Sequence, residues 1–319
     1  MNTSRFDVAA FGELLIDLVP VRDAAGLPCF AAKPGGAPGN VAVGVARLGG
    51  RSAMLSKVGE EAFGRLLVAT LQADGVATEG VVMSRAGNTS LAVVTVDHAG
   101  DRDFMFYRAG CADTIYTAEE VAADIVRGTR VLHVGSLVLA EPISAAAQRH
   151  AIALAQAAGV TVSADVNLRP SLWRDPEDMR RAGLEAAGVA NILKISEEEL
   201  AFLTGVADID GGIARLWHDG LRAMAVTKGP AGADLLTPLH RASVPGFSVK
   251  VVDTVGCGDA FMASLLADLT ATDFDLGSVA TLERLAKRAC ATGALAATAA
   301  GGMESLPSAA TREAFLAGR

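Results

Sequence analysis

The chain has 319 residues, enough for one large α/β domain or two smaller ones around a sizeable apolar core. Acidic residues outnumber basic ones by 36 to 28, which gives a net charge of −8, and no basic stripe could neutralise a nucleic-acid backbone. Apolar residues make up 51% of the chain and aromatic residues only 5%, a composition typical of closely packed helices and parallel strands. We therefore expect a globular α/β protein that does not bind nucleic acid.

The cysteines and the first residues bear on where the protein works. The four cysteines, at positions 29, 111, 257 and 290, form no CxxC pair, so neither a disulfide framework nor a zinc site is indicated. Residues 1–20 carry acidic residues inside their apolar stretch and lack the basic region and cleavage site of a signal peptide. No uninterrupted apolar run reaches the roughly 18 residues of a membrane span. A cytoplasmic protein without a membrane partner is expected.

Along the chain, short apolar runs alternate with helical patterns. Strands are predicted at Val8–Phe11, Ala53–Val58, Val131–Gly135, Val160–Ala164, Asn191–Ile195 and Ala223–Thr227. Helices are predicted at Asn40–Leu48, Phe63–Ala73, Ser144–Ala158, Glu197–Leu203 and Gly212–His218, with two long ones after Gly258 and from Thr281. This alternation predicts βαβ units, that is, parallel strands with helices on both faces of the sheet.

Two stretches interrupt the alternation, Leu18–Lys33 and Thr89–Arg108. The second contains the alternating pieces SLAVVTVD and DFMFYR, which are typical of paired extended strands without an intervening helix. We expect residues 18–35 and 89–111 to form a small separate β-sheet over one edge of the main sheet. Such a flap would act as a lid inserted in one domain of residues 1–319, because no internal repeat or linker divides the chain.

The first polar residues of interest lie near the N-terminus. Asp17 in FGELLID is expected to end the first strand, at the edge where open α/β sheets bind ligands. A carboxylate can accept hydrogen bonds from two adjacent hydroxyls, and a solvated loop acid is the alternative. In the segment KPGGAPGN, Gly35 and Gly36 permit close approach of the backbone to a ligand. Asn40 offers both a donor and an acceptor to hydroxyls, or else it caps a helix.

The segment VVDTVGCGDAFM, residues 251–262, is expected to be an apolar strand turned by two glycines into a helix that begins at Asp259. Gly256 and Gly258 would let backbone N–H groups converge on an anion, and the helix dipole would add about 0.3–1 kcal/mol of attraction. A carboxylate at this point would lie within reach of an attacking hydroxyl, as a general base requires. The alternative is that Asp259 only caps a helix after a tight turn.

Two other phosphate-binding motifs are not found. The chain contains no GxxxxGK[S/T] sequence, and its glycines do not continue as GxGxxG with an acidic partner about 20 residues further on. A P-loop NTPase and a dinucleotide-dependent dehydrogenase are therefore disfavoured.

These segments, in this order, resemble the signatures of the ribokinase-like (PfkB) carbohydrate kinase family. VVDTVGCGDA resembles the DTxGAGD signature, with Cys257 in place of the usual alanine, and KPGGAPGN followed by RLGG resembles the GG…N segment that contacts the sugar. The resemblance runs from about Phe6 to Pro307. It implies the family's ribokinase-like three-layer α/β/α fold, with a mainly parallel central sheet and a small β-sheet lid.

The resemblance also implies a site. As sugar-binding residues it assigns Asp17, Gly35, Gly36 and Asn40, together with Tyr107 and Arg108 of FMFYR. To catalysis it assigns Asp259 as general base, the backbone amides of Gly256, Cys257, Gly258 and Asp259 as an anion hole for the γ-phosphate, and Arg169 of DVNLR. For Arg108, a charged edge-strand residue is the alternative. A thiol at Cys257 should be tolerated because the N–H groups do the binding.

For the nucleotide and the metal, the resemblance implies a further set of residues. The nucleotide contacts it assigns are Asn167, Lys194, Ser196, Thr227, Gly229, Gly232, Gly258 and Cys290, and the metal contacts are Glu199 and Asp253. Ser196 stands where relatives carry the asparagine of an N-x-x-E motif, and Cys290 stands where they often have asparagine. A favourable first helical turn is the alternative for Glu199, and a hairpin turn is the alternative for residues 227–232.

Within the family, the segments FGELLIDLVP, PGGAPGNVAVGVARLGG, FMFYR and ISEEELAFLTG look most like fructokinases. The implied reaction is ATP-dependent phosphorylation of D-fructose to fructose 6-phosphate with Mg²⁺. Whether a monovalent cation such as K⁺ also binds near Asp253 is left open. A 2-keto-3-deoxygluconate kinase, or another sugar kinase of the family, is the alternative. A non-catalytic sugar-binding regulatory homologue is disfavoured by the intact Gly256, Gly258 and Asp259. The open lid edge would allow a homodimer.

Overall fold

The computed structural model describes residues 4–96 and 102–319. Residues 97–101 of the predicted lid, and residues 1–3 of the predicted domain, lie outside the described residues. The strands are β1 (Phe6–Phe11), β2 (Leu15–Arg22), β3 (Pro28–Gly35), β4 (Ser52–Gly59), β5 (Ala77–Ser84), β6 (Ser90–Val96), β7 (Arg102–Tyr107), β8 (Thr129–Gly135), β9 (Thr161–Asp165), β10 (Ile192–Ser196), β11 (Ala223–Thr227), β12 (Ala233–Leu236) and β13 (Arg241–Val244).

The helices alternate with these strands through most of the chain. They are α1 (Ala37–Arg47), α2 (Ala62–Ala73), α3 (Ala123–Arg127), α4 (Pro142–Ala157), α5 (Pro176–Gly188), α6 (Glu197–Thr204), α7 (Ile209–Leu216), α8 (Cys257–Ala271), α9 (Val279–Ala296) and α10 (Ala309–Ala317). Among the described residues, no helix has both the length and the apolar character that crossing a membrane requires.

The main sheet has nine strands in the order β13-β12-β11-β10-β9-β8-β1-β4-β5. The run from β5 to β11 is parallel, and β12 and β13 add an antiparallel hairpin at one edge. Because all the parallel strands point the same way, the loops after β1, β8, β9, β10 and β11 meet at one edge of the sheet. Ligands of open α/β sheets bind at this edge.

Helices cover both faces of this sheet. Val8 and Ile192 face the layer that contains α1, α8 and α9, whereas their chain neighbours Ala9 and Leu193 face the layer of α4 to α7. This follows from the geometry of a strand, in which successive side chains point to opposite faces. The predicted three-layer α/β/α arrangement is confirmed.

A second sheet of four strands has the order β3-β2-β6-β7. The pairs β2/β3 and β6/β7 are antiparallel, and β2 runs parallel to β6. It joins the main body where β3 gives way to α1 at Gly36, whose φ is 104°. A side chain at this position would overlap the backbone oxygen of Glu13, so the tight connection requires glycine. The small separate sheet expected from the sequence is confirmed.

Two details of the sequence prediction are wrong. Asp17 does not end the first strand, because β1 stops at Phe11 and Asp17 lies in β2 of the small sheet. Val251 and Val252 are not a strand but an exposed irregular segment, because the N–H of Val252 donates to the carbonyl of Ala297 at the end of α9 instead of to a neighbouring strand. The helix that follows begins at Cys257, two residues before Asp259.

Candidate active site

A cavity of about 500 Å³ lies between the small sheet and the carboxyl edge of the main sheet. It brings together residues from both predicted ends of the site, which are far apart in the sequence. Its lining consists of Glu13, Leu15, Asp17, Gly36, Ala37, Asn40, Phe106, Leu137, Asn167, Arg169, Thr254, Val255, Gly256, Gly258 and Asp259. A volume of this size suits a small molecule.

The two ends are joined directly by a hydrogen bond. The side-chain amide of Asn40 in α1 donates through Nδ2 to Oδ2 of Asp259 in α8, at 2.7 Å. Both side chains are buried. Neither caps its helix, because the N-cap positions are Gly36 and Gly256, so the capping alternatives for Asn40 and Asp259 are wrong. Oδ1 of Asn40 is buried without a hydrogen-bond partner among the described residues. A buried acceptor without a hydrogen bond lowers the stability of the folded protein.

The carboxylate of Asp259 has an unusual environment. Burial and, next, the negative charge of Asp165 raise its pKa, whereas the hydrogen bond from Asn40 and the charges of Lys194 and Arg169 lower it, and the resulting pKa is about 6. A base whose pKa lies close to neutral pH can accept a proton efficiently and still be largely ionised. The site therefore holds a carboxylate with the properties of a general base.

The loop before α8 contributes Thr254, Val255 and Gly256 to the lining of the same cavity. Cys257 is not part of the lining, and its N–H donates to the carbonyl of Thr254 at 3.3 Å. Gly256 is the N-cap with φ of 79°, a left-handed conformation that favours glycine. The first N–H groups of a helix have no acceptor within the helix, and the helix dipole favours negative charge there. At Cys257, burial raises the pKa of the thiol to about 11, with contributions from the charges of Asp253 and Asp259. The thiol therefore stays protonated.

At the end of the cavity where the sequence predicts sugar binding, Asp17 lies against the backbone of Gly35. A side chain at Gly35 would overlap the carboxylate of Asp17, so glycine at this position gives Asp17 its room. Glu13 and Phe106 also line the cavity. Oε1 of Glu13 accepts a hydrogen bond from the N–H of Ala37 at 3.1 Å. Burial raises the pKa of Glu13 to about 7, although the charge of Arg108 opposes this.

The two lid residues predicted to contact the sugar do not line the cavity. Tyr107 pairs with Leu91 on the outer face of the small sheet and is exposed, while its neighbour Phe106 points inward because side chains alternate along a strand. Arg108 is buried, and its Nε donates to Oδ2 of Asp113 at 2.6 Å. The alternative of an exposed edge-strand charge is therefore wrong for Arg108.

The segment after β9 supplies the cationic side chain of the cavity lining. Asn167, which has a positive φ of 42°, and Arg169 both line the cavity. Further along the same edge, Ser196 ends β10 and Thr227 ends β11, and the two residues are register partners in adjacent strands. The nucleotide residues predicted in these strands thus form a row that leads away from the cavity along the carboxyl edge.

The remaining predicted nucleotide residues lie beyond β11. Gly229 and Gly232 form the turn that links β11 to β12, and a side chain at Gly232 would overlap the carbonyl of Val244. The hairpin-turn alternative is confirmed as a description of the local structure. Cys290 is buried in α9, where burial raises the pKa of its thiol to about 11. None of these three lines the cavity.

The carboxylates predicted to contact a metal are engaged with backbone groups. Glu199 forms a capping box with Ser196, and its other oxygen accepts the N–H of Leu168 at 2.7 Å, so the first-turn alternative is confirmed for Glu199. Asp253 accepts the N–H groups of Val255 and Gly301, each at 3.0 Å. Among the described residues, no three His, Cys, Asp or Glu side chains converge as a metal site. This donor set fits a cation that arrives with phosphate groups and keeps its water.

Comparisons with known proteins agree with this geometry. Residues 5–309 match the model of the pfkB family of carbohydrate kinases. The chain is 41% identical over 316 residues to fructokinase-2 of Zea mays, covering 97% of this chain and 94% of that protein.

Solved structures give the same result. A fructokinase from Xylella fastidiosa with bound ATP has a TM-score of 0.90 at 30% identity and covers 98% of both chains. A fructokinase from Vibrio cholerae O395, in a form with fructose, ADP and calcium ion, has a TM-score of 0.87 at 36% identity and covers 99% of this chain and 100% of that one. The match of the family model to nearly the whole chain, on the fold and site described above, shows that this chain belongs to the pfkB family of carbohydrate kinases.

Proposed function

We propose that this protein transfers the γ-phosphoryl group of ATP to a hydroxyl of D-fructose and forms fructose 6-phosphate. The observation that carries the proposal is the Asn40–Asp259 hydrogen bond inside one cavity, because it joins the side chain proposed to bind the sugar to the proposed general base. The similarity to fructokinases over nearly the whole chain supports fructose as the sugar.

Each part of the cavity has a role in this reaction. The sugar hydroxyl donates its proton to Asp259 as it attacks, and the unpartnered Oδ1 of Asn40 accepts from another sugar hydroxyl. The N–H groups of Gly256 to Asp259, together with Arg169, stabilise the transferring phosphoryl group. Phosphoryl transfer depends mainly on positioning and charge neutralisation, and this arrangement supplies both.

A divalent cation such as Mg²⁺, when bound with ATP, neutralises charge on the β- and γ-phosphates. In this chain Glu199 and Asp253 would contribute through water, since their carboxylates hold backbone N–H groups and Mg²⁺ gives up water reluctantly. The nucleotide would follow the row that leads from Lys194 and Ser196 towards Thr227, and then Gly229, Gly232 and Cys290. A monovalent cation near Asp253 stays a prediction.

The charge of the cavity favours a neutral sugar over a sugar acid. Among the described residues of its lining are the carboxylates of Glu13, Asp17 and Asp259, but only one cationic side chain, that of Arg169. The guanidinium group of Arg108, which does not line the cavity, is already paired with the carboxylate of Asp113. A substrate carboxylate would therefore meet like charges, which disfavours 2-keto-3-deoxygluconate.

The small sheet, with residues 18–35 and 89–111, serves as the lid of a single kinase domain of residues 1–319. Its support is Phe106, which reaches into the cavity from β7, so that movement of the sheet would open or cover the sugar. A covered site keeps water from taking the phosphoryl group.

Two further properties belong to the proposal. The outer face of the small sheet exposes apolar side chains of β3 and β7, which supports a homodimer formed through the lids. All four cysteines are free, which supports a reducing compartment such as the cytoplasm.

A coupled assay of ADP release tests the reaction. Fructose, glucose, ribose, 2-keto-3-deoxygluconate and adenosine would be offered separately with Mg²⁺ and ATP. We expect the highest kcat/KM with fructose. A higher kcat/KM with 2-keto-3-deoxygluconate would show that the sugar acid is the substrate. No turnover with any of the five compounds would favour the non-catalytic homologue.

A further inference from the structure

A buried ion pair lies directly behind the general base. Asp165 is the last residue of β9, and Lys194 is its register partner in β10. Nζ of Lys194 lies 2.9 and 2.8 Å from the two carboxylate oxygens of Asp165. Both side chains are buried, and neither lines the 500 Å³ cavity. The pair therefore does not contact the sugar that would occupy that cavity.

The pair is close to the loop that carries Asp259. Nζ of Lys194 is 3.0 Å from the position that a Cβ would take at Gly258, so the ammonium group packs against the residue preceding the base. Although burial lowers the pKa of Lys194, the charges of Asp165, Glu199 and Asp259 raise it. Lys194 consequently remains charged and attracts both Asp165 and Asp259.

We propose that Asp165 and Lys194 are positioning residues for phosphoryl transfer that act through Asp259. Their opposite charges behind Gly258 compensate each other, so that Asp259 is ionised and can still accept a proton at the pH at which the enzyme works. The inference rests on the proposed kinase function. An unbalanced cation here would make Asp259 a weaker base, and an unbalanced anion would make it retain a proton at the pH where it must accept one.

The other charged groups around Asp259 do not provide this balance. Arg169 approaches from the loop after β9, the Cys257 thiol lies on the same helix, and Asn40 on α1 is neutral. Across the cavity lie Glu13 and Asp17. Asp165 is the strongest of the charges that raise the pKa of Asp259, and Lys194 is among the groups that lower it, so the pair acts on the base in opposite directions.

The test compares pH profiles of kcat/KM for fructose at saturating MgATP. The wild-type profile should fall below pH of about 6, since the base must be ionised. Asp165→Asn should move this acidic limb down by about one pH unit, and Lys194→Met should move it up by about the same amount. The double variant should restore a limb close to that of the wild type, a result that loss of structure alone would not give.

Asp268→Asn is the matched control, because Asp268 lies on the same helix as Asp259 and pairs with Arg288 and Arg312 away from the cavity. It should lower stability and leave the limb unmoved. Single variants with an unmoved limb, or a Lys194→Met variant that only raises KM for ATP, would overturn the inference. If one single variant does not fold, the other single variant still decides by the direction of its shift. A wild-type protein without sugar kinase activity would instead refute the proposed function.

Discussion

At the scale of single residues, the proposed reaction depends on the contact between Asp259 and Asn40. Each is a common residue type in a common local pattern, and sequence alone left open whether they cap helices. The structure resolves this through Gly36 and Gly256, which occupy the N-cap positions and free both side chains to contact each other. The proposed base and the amide proposed to bind the sugar thus belong to one hydrogen-bonded unit.

The role of Asp259 predicts a specific loss on substitution. Asp259→Asn keeps the shape of the side chain and its contact with Asn40 but cannot accept a proton from the sugar. We expect kcat to fall by roughly 10²–10⁴-fold, with the KM for ATP nearly unchanged. Steady-state kinetics of ADP release measure this, and near-normal turnover would remove Asp259 from the proton transfer.

Glu13 predicts a pH-dependent change in stability. Its pKa of about 7 in the folded protein lies above its ordinary value of 4.5, so the folded state binds the proton more tightly than the unfolded state. The resulting stability is present at low pH and is lost as the pH rises through about 7. Glu13→Gln removes this loss and keeps an oxygen that can accept from Ala37. The free energy of unfolding of the variant, relative to that of the wild type, should therefore rise by about 2–3 kcal/mol when the pH is raised from 5 to 8.

Urea unfolding at both pH values measures this difference. The useful quantity is the free energy of unfolding of Glu13→Gln minus that of the wild type at each pH, since other titrating groups then cancel. An equal difference at pH 5 and pH 8 would contradict a buried, titrating Glu13.

At the scale of elements, the small sheet is held to the main body by a buried charge pair. Arg108 follows β7 and pairs with Asp113, which also accepts a hydrogen bond from Ser90 in β6. The pair therefore connects two strands of the small sheet to the 3₁₀ turn that contains Asp113. Sequence could not reveal this role for Arg108, because a charged residue at a strand end is usually exposed.

Removing one member of this pair should be costly. Asp113→Ala leaves Arg108 as an unpaired buried charge, and such changes typically cost about 3–5 kcal/mol of stability. Asp113→Asn is the matched control, because its amide oxygen can still accept from Arg108 and the loss should be smaller. Chemical denaturation compares the two, and equal, small effects would show that the pair does not anchor the sheet.

Element positions were predicted best where apolar residues are periodic. The strands and helices around the catalytic edge, such as β4, β8 and α8, were found within a few residues. The strand β5 contains Thr78, Glu79 and Gly80, which interrupt the apolar pattern. The buried face of α5 consists mainly of alanine and glycine, which give a weak apolar signal. The misassignment of Asp17 has a similar cause, since FDVAAFGELLID is one apolar run whose break at Gly12 depends on tertiary contacts.

At the scale of the whole molecule, the order of motifs revealed the family more securely than any single motif. The fold class, the small sheet and the joining of both site ends were predictable from it, because parallel strands bring their carboxyl ends to one edge. The inward position of Phe106, the balance between Asp165 and Lys194 and the burial of Glu13 were not, because they depend on three-dimensional packing.

The proposed dimer gives a prediction at this scale. Phe30, Met105 and Tyr107 are 55%, 54% and 58% exposed, and the strand registers place them on the outer face of the small sheet. Contiguous exposed apolar side chains mark an interaction surface. Sedimentation should show a dimer for the wild type and a monomer for Phe30→Glu combined with Tyr107→Glu. A monomeric wild type at micromolar concentration would contradict the lid-to-lid contact.

The proposed reaction requires one cavity that holds the sugar, the base and the phosphate-binding amides together. The most direct measurement is a crystal structure with D-fructose, Mg²⁺ and a non-hydrolysable ATP analogue. We expect the 6-hydroxyl of fructose within about 2.6–3.2 Å of the Asp259 carboxylate, with the γ-phosphate against the N–H groups of Gly256 to Asp259. A fructose molecule whose 6-hydroxyl faces away from Asp259, or a γ-phosphate bound elsewhere, would contradict it.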